Sequence, residues 1–446
     1  LAIPPTNAPK NAVTFQEKAA MTNWKFCEIQ QLNGQAERIK HPAQSQVLTA
    51  TWTGPWTEQW NQVAAIPNIA YIPEKDQVLL MVSCGNPHQA VTSTSDDYGA
   101  TWSEPQYIHT DDHGKSDTGL AVGLVYAVAG QVLCWTFDYM AVPKQPWIRW
   151  SSEDYGQTWT KSSPIERNLY PWDRPTIERD AQTGKVTKIW ETAYIEDHSR
   201  EIWSQAYLRY SEDQGHTWSD FREIPEWSAT NEVCIVRAKN GTLVAAHRTD
   251  MPKRFVKRNP ETGEEDALDL YEGLGISISR DEGQNWSTVE KLYDWGRHHF
   301  SLLTLKNGDI VMSYTSRMGY VETADGNPQF GVEAVVSHDH GQTWDLDHRY
   351  IFAAWPGNRS DKWLWNRCSQ ATSSVLLPDS SILTAFGTGY RAEVITGDES
   401  AYCPRDVGLV KWRINDGDLN DDTSIADAPF DSDLRNRFDP QWNTFA

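Results

Sequence analysis

An eight-residue pattern, Ser-x-Asp-x-Gly-x-(Thr/Asn)-Trp, occurs five times in this chain, starting at Ser95, Ser152, Ser211, Ser279 and Ser337. The steps between copies are 57, 59, 68 and 58 residues. Repetition at that period means that one supersecondary unit is reused and that neighbouring units bury their faces against each other. Each copy follows a short alternating run, such as Trp147-Ile148-Arg149-Trp150 or Ala334-Val335-Val336, which reads as a strand leading into the pattern. The pattern itself reads as a turn. Gly at its fifth place (Gly99, Gly156, Gly215, Gly283, Gly341) can take a positive φ, and the Asp two places earlier can accept from nearby backbone N–H groups. The closing Trp (Trp102, Trp159, Trp218, Trp286, Trp344) has the bulk to fill the space between neighbouring units.

Between these turns lie six strand-turn-strand units: Ala65 to Cys84, Gly119 to Phe137, Pro175 to Tyr194, Glu232 to Arg248, His299 to Arg317 and Ala371 to Phe386. Lys239-Asn240-Gly241, Lys306-Asn307-Gly308 and Pro378-Asp379-Ser380 are their hairpin signals. Six hairpins with five repeated turns predict an all-β, six-bladed β-propeller of four-stranded antiparallel blades. In the sixth unit Val407 to Trp412 takes the third-strand place, and no outer strand follows it. Gln46 to Trp52 can supply that strand from the other terminus, which would close the ring and remove an open edge. The expected organisation is therefore an N-terminal arm over 1–45, a propeller over 46–416 and an acidic tail over 417–446.

A net charge of -21 argues against nucleic acid or an anionic membrane as partner, but a local cluster of Arg and His can still bind an acidic sugar. No run of about 18 apolar residues is present, so no membrane span is expected. A start at Leu1 without Met fits a processed, secreted, extracellular protein, expected to be a monomer. The six cysteines are scattered without C-x-x-C spacing, which argues against a zinc site and leaves disulfide pairing open. No cofactor and no metal site is expected.

The repeated turn resembles the Asp box of the sialidase-like β-propellers, also called the BNR repeat. In that family the boxes are structural pins away from the active site, and the site surrounds the central mouth, where innermost strands begin and second strands end. Aligned on their turns, the six units place there Trp172-Asp173-Arg174, Asn231-Glu232 and Arg297-His298-His299 from first strands. The ends of second strands add His88, Asp138-Tyr139, Glu191, Tyr194, Arg248, Arg317 with Tyr320, and Tyr390-Arg391. Such a ring suits glycan chemistry. Paired carboxylates act as acid and nucleophile or base, arginines grip a carboxylate, and aromatic rings stack on sugars.

Glu232 and Arg248, sixteen residues apart, are similar to the sialidase segment whose Glu polarises the nucleophilic Tyr and whose Arg belongs to the carboxylate-gripping triad. The pattern departs from the family elsewhere. Ala65-Ile66-Pro67 stands where sialidases carry Arg-Ile-Pro, Cys84-Gly85-Asn86-Pro87-His88 shows no acid/base Asp, and Gln370-Ala371 stands where the Tyr should be. These departures point away from an ordinary sialidase towards another exo-acting hydrolase of this fold, removing a terminal, acidic sugar. The expected catalytic groups are Glu232 with Asp173 or Asp138. The expected substrate contacts are Arg174, Arg248, Arg317, Arg297, His298, Trp172, Tyr139, Tyr320, Tyr390, Arg391 and His88. A polysaccharide lyase using His299 is a second reading, and a non-catalytic glycan-binding propeller is a third.

Overall fold

A computed structural model describes residues 28–30, 38–39, 48–49, 64–84, 89–116, 118–137, 146–164, 169–180, 182–197, 199–253, 256–258, 265–266, 272–316, 329–346, 350–356, 371–388 and 406–414. Six antiparallel sheets follow one another in chain order. Their innermost strands are Ala64–Ile72, Leu120–Tyr126, Thr176–Arg179, Thr230–Arg237, Arg297–Thr304 and Thr372–Leu376. The first five sheets are each four strands deep, numbered here as blades one to five. In blade six the third strand, Asp406–Arg413, pairs with two N-terminal segments: Leu48–Thr49 lies on Leu409 and Gly408, and Glu28–Gln30 lies on Arg413 to Lys411. The ring is thus closed by strands from the chain's beginning, one of them inside the expected segment Gln46 to Trp52. The long 68-residue step between the third and fourth boxes has its own cause. Blade four carries an extra hairpin, Lys257–Arg258 with Glu265–Asp266, between its second and third strands.

Hydrophobic cores lie between blades. Val78 and Leu80 of blade one pack with Leu383 and Ala385 of blade six, and Trp190 and Leu208 of blade three pack with Val233 and Leu243 of blade four. Trp150 and Trp412 are fully buried, and each gives its indole N–H to a threonine hydroxyl of the next strand inward, at 2.7 and 3.0 Å. That bond removes the penalty of burying the indole donor.

The repeated turn locks each blade to the one before it. In every copy the Asp accepts the backbone N–H of the Thr or Asn four places on, at 2.8–2.9 Å, and the Gly N–H goes to the Ser hydroxyl at 2.7–2.9 Å. Two successive residues are left-handed, for instance Tyr98 (φ 57) before Gly99 (φ 95) and His340 (φ 65) before Gly341 (φ 85). A side chain on Gly156 would meet Leu79 of blade one, one on Gly215 would approach Leu133 of blade two, and one on Gly341 would strike Val244 of blade four. Among the described cysteines, Cys84, Cys134 and Cys234 are buried and free. No helix among the described residues is long and apolar enough to cross a membrane.

The innermost strands share a second repeated feature. Pairing slips by a bulge at Ala65/Asn68, Val122/Val125, Asn231/Cys234 and His298/Ser301. Each bulge holds one left-handed residue: Ile66 (φ 52), Gly123 (φ 71), Glu232 (φ 47) and His299 (φ 52). Ala371 (φ 58) stands at the matching place just before blade six's inner strand. A left-handed non-glycine residue costs roughly 1–2 kcal/mol. A bulge re-aims its side chain, and four of these five residues line one pocket.

Candidate active site

The pocket lies at the axis and holds about 350 Å³ of empty space, open solvent included. Blade one contributes Ile66, Pro67 and Asn68, blade three Trp172 and Asp173, blade four Glu232, blade five His299 and Phe300, and blade six Ala371 and Thr372. Asn68 braces the first bulge, donating to Ile66 O and accepting from Gly123 N, both at 3.1 Å. Gly123 is required by its neighbour: a Cβ there would sit 2.9 Å from the carbonyl oxygen of Asp173. The bare backbone of blade two therefore lets the Asp173 turn reach the axis.

Glu232 is buried and clamped. Its Oε1 accepts from Arg248 Nη1 at 2.7 Å, and its Oε2 lies 3.0 Å from His299 Nδ1. Arg248 also pairs with Glu272, a residue between the extra hairpin and blade four's third strand. Burial alone would raise the Glu232 carboxyl, but Arg248 and His299 outweigh it and hold the group below the usual carboxylate range. Glu232 is therefore an anion at working pH. Tyr194 lies near this cluster. Burial and then the Glu232 charge push its phenol well above the ordinary value, so it stays protonated.

Asp173 is the converse case. Its Oδ1 accepts Arg174's own backbone N–H at 2.6 Å, while Oδ2 is shut from solvent without an N–H or O–H partner. Burial pushes the carboxyl up to about 6, against the lowering pull of Arg174 and the Cys234 thiol and with some help from the Glu232 charge. Trp172, next to it, is half-buried, and its ring centre is 6.2 Å from that of His299.

Of the expected site residues, Asp173, Glu232, His299 and Trp172 come together at this pocket. Arg174 is adjacent but differently employed: its guanidinium donates to Ser374 O at 2.7 Å and Leu302 O at 2.6 Å. Arg248 faces carboxylates of its own protein. Arg297 turns into blade five, 3.6 Å from Glu333 and over the Tyr293 ring. His298 is fully buried against His299 and is not part of the lining. Glu191, expected among the second-strand ends at the mouth, is instead enclosed by Arg149 and Arg209 between blades two and three. Asp138, Tyr139, His88, Arg317, Tyr320, Tyr390 and Arg391 lie outside the described residues. The sequence reading did not single out Asn68, Phe300, Thr372 or Glu272. Glu272 follows a long insertion and has no place in the hairpin register, and the other three look like ordinary strand residues. Among the described residues, no group of three or more His, Cys, Asp or Glu is placed to hold a metal ion.

Six four-stranded blades, inter-blade Asp boxes and an axial pocket define a sialidase-like β-propeller. The chain belongs to the BNR repeat-like domain family, whose profile matches residues 43–298. No curated protein sequence matches it. Among solved structures it is similar to the NanB sialidase from Streptococcus pneumoniae, with TM-score 0.50 and 11% identity over 85% of this chain and 72% of that one. A Hadza microbial sialidase aligns with TM-score 0.52 and 13% identity, over 80% of this chain and 66% of its own. The α-L-arabinanase of Penicillium chrysogenum, complexed with arabinobiose, aligns with TM-score 0.51 and 12% identity, over 82% and 99%. At such identities the likeness is one of fold.

Proposed function

We propose that the protein is an exo-acting glycoside hydrolase in which Asp173 is the general acid and Glu232 the ionised partner, acting as nucleophile or base. One observation carries this reading: two carboxyl groups line one pocket, and their surroundings push them in opposite directions. A protonated acid and a carboxylate anion are what glycosidic cleavage needs, the first to protonate the leaving oxygen and the second to meet the developing oxocarbenium ion or activate water. Trp172, half-buried in the lining, offers a stacking face for the sugar. The fold neighbours named as sialidases and an arabinanase support carbohydrate as the substrate.

The acidic sugar expected from the sequence requires a cation at the pocket wall. The described lining contains no Arg or Lys. Arg174, Arg248 and Arg297 are engaged elsewhere, and Arg317 and Arg391 lie outside the described residues. The described walls, Ile66, Pro67, Phe300 and Ala371, therefore favour a neutral sugar ring.

One contact favours a second reading. Glu232 beside His299 Nδ1 forms a carboxylate-histidine pair that could make His299 the base of a uronate lyase. That chemistry also needs a cation to neutralise the uronate carboxylate, which the described lining does not offer.

The test is incubation with acidic and neutral polysaccharides, following released sugar and the ultraviolet absorbance of unsaturated uronates. Sugar release without absorbance, lost in Asp173→Asn and Glu232→Gln, is the expected result. Absorbance that rises and is lost in His299→Ala would establish the lyase instead.

A further inference from the structure

Arg174 was expected to grip substrate, and the structure gives its guanidinium a different task. The innermost strand of each blade turns one edge to the central channel, so part of its backbone has no strand to pair with. Elsewhere in the ring, threonine hydroxyls cap such carbonyls. Thr192 donates to Val233 O at 2.6 Å, Thr304 to Arg237 O at 3.0 Å and Thr372 to His299 O at 3.0 Å. Each of these joins a blade to its immediate neighbour. Arg174 instead starts from blade three and reaches Leu302 O of blade five and Ser374 O of blade six, so it crosses the channel.

We propose that Arg174 is a positioning residue: a tie across the axis that fixes the Trp172–Asp173 turn against blades five and six. Three features make the turn dependent on such a tie. It lies between Pro171 and Pro175, which donate no backbone hydrogen bonds. The strand that follows, Thr176–Arg179, is only 4 residues long. Beneath it, Gly123 presents a surface without a side chain to hold it. Arginine suits the task because its planar fork can donate to two acceptors on different blades at once, which a lysine ammonium does less well.

This inference rests on Asp173 being the acid of the proposed reaction, but its test needs no turnover, so the two readings can fail separately. The charged or titratable groups facing Asp173 are Arg174 from its own turn and Glu232 and Cys234 from blade four, with His299 of blade five in the same pocket. From blades one, two and six come Ile66, Asn68, Gly123, Ala371 and Thr372, none of which titrates.

The measurement is an NMR titration of the Asp173 carboxyl carbon, assigned with Asp173→Asn, together with hydrogen exchange over residues 169–176. Both are run on the wild type, Arg174→Gln and Arg174→Lys. Arg174→Gln loses tie and charge. Its Asp173 midpoint should rise by about 1–3 units, since a neighbouring cation lowers a carboxyl by that much, and exchange in the turn should quicken at least roughly tenfold, the equivalent of losing one net charged hydrogen bond. Arg174→Lys keeps the charge without the fork: the midpoint should stay near the wild-type value while the turn exchanges faster. Unchanged exchange in either variant overturns the tie, as does an unchanged midpoint in Arg174→Gln. If Arg174→Gln does not fold, Arg174→Lys decides alone by its exchange.

Discussion

The two rings of repeated backbone in this propeller are used in contrary ways. In the Asp boxes both backbone and side chains repeat: Ser, Asp, Gly and Trp recur, and the Asp-to-backbone bond varies by no more than 0.1 Å among the five copies. In the inner ring the backbone repeats and the side chains do not. Left-handed bulge positions in blades one, two, four and five are filled by Ile66, Gly123, Glu232 and His299 in turn. Repetition in the first ring pairs the Asp carboxylate and the Gly N–H locally in every copy and joins blades. Variation in the second places an apolar wall, a gap, an anion and an imidazole around one axis. The fold thus supplies a repeated direction towards the centre, and chemistry depends on which residue each blade puts there.

Substitutions in the two rings should therefore separate activity from stability. The largest effect belongs to the inner ring: Glu232→Gln and Asp173→Asn should each lower glycan cleavage by roughly 10²–10⁴-fold. Both variants should still be folded at the assay temperature, which a thermal melt at the assay pH checks. Comparable activity in either variant would break the distinction between the rings. Next comes Gly341→Ala in a box. Its Cβ would fall 2.5 Å from Val244 Cγ2 at a φ of 85°, and left-handed strain plus overpacking should cost roughly 2–4 kcal/mol. Denaturant unfolding should show that loss, while kcat/KM of the folded fraction stays at the wild-type level.

The unequal legibility of the two rings in the sequence has the same origin. A box is local: Ser95, Asp97, Gly99 and Trp102 meet within eight residues, so their spacing alone identifies the turn, and with it the blade count. Glu232, Asp173, His299 and Trp172 were also legible, because the starts of inner strands gather at the mouth, although Arg297 and His298 at one such start turn away from it. What those groups bind was not. Arg174 finds its acceptors 128 and 200 residues away, and Glu272 reaches Arg248 because it enters the third strand of blade four, which pairs with Arg248's strand across a long insertion. The bulges were missed as well, since Ile66 and His299 are poor left-handed residues that no propensity would place there. In both cases the ring as a whole decides the local conformation.

A third expectation concerns pH and sharpens the contrast within the inner ring itself. The acid must be protonated and its partner ionised. Asp173, raised to about 6, sets the alkaline limb of kcat/KM, and Glu232, lowered by Arg248 and His299, sets the acid limb. Activity should be greatest on the acid side of neutrality and fall as pH rises through about 6. An alkaline limb that persists unchanged in Asp173→Glu, or a profile still rising at neutral pH, would remove Asp173 from the acid role.

The smallest effect is one of stability, and it links the site back to the boxes. Box aspartates are lowered by their hydrogen bonds, as Asp213 is, to about 2, so their ionised forms favour folding above the unfolded value and that support is lost as pH falls through the folded one. Asp173 has the reverse sign. Its folded value of about 6 lies above the ordinary 3.8, so ionisation opposes folding. The opposition begins above 3.8 and is complete once pH exceeds about 6. Asparagine has the same shape and no charge to bury. Asp173→Asn should therefore match the wild type in stability near pH 3.5 and exceed it at pH 8 by up to ~3 kcal/mol, less to the extent that solvent reaches the half-buried residue. The readout is the difference in unfolding free energy between the two proteins across that range. A difference that grows with pH marks a site where stability has been yielded for a protonated acid, whereas a flat one would make Asp173 as well accommodated as the carboxylates of the boxes.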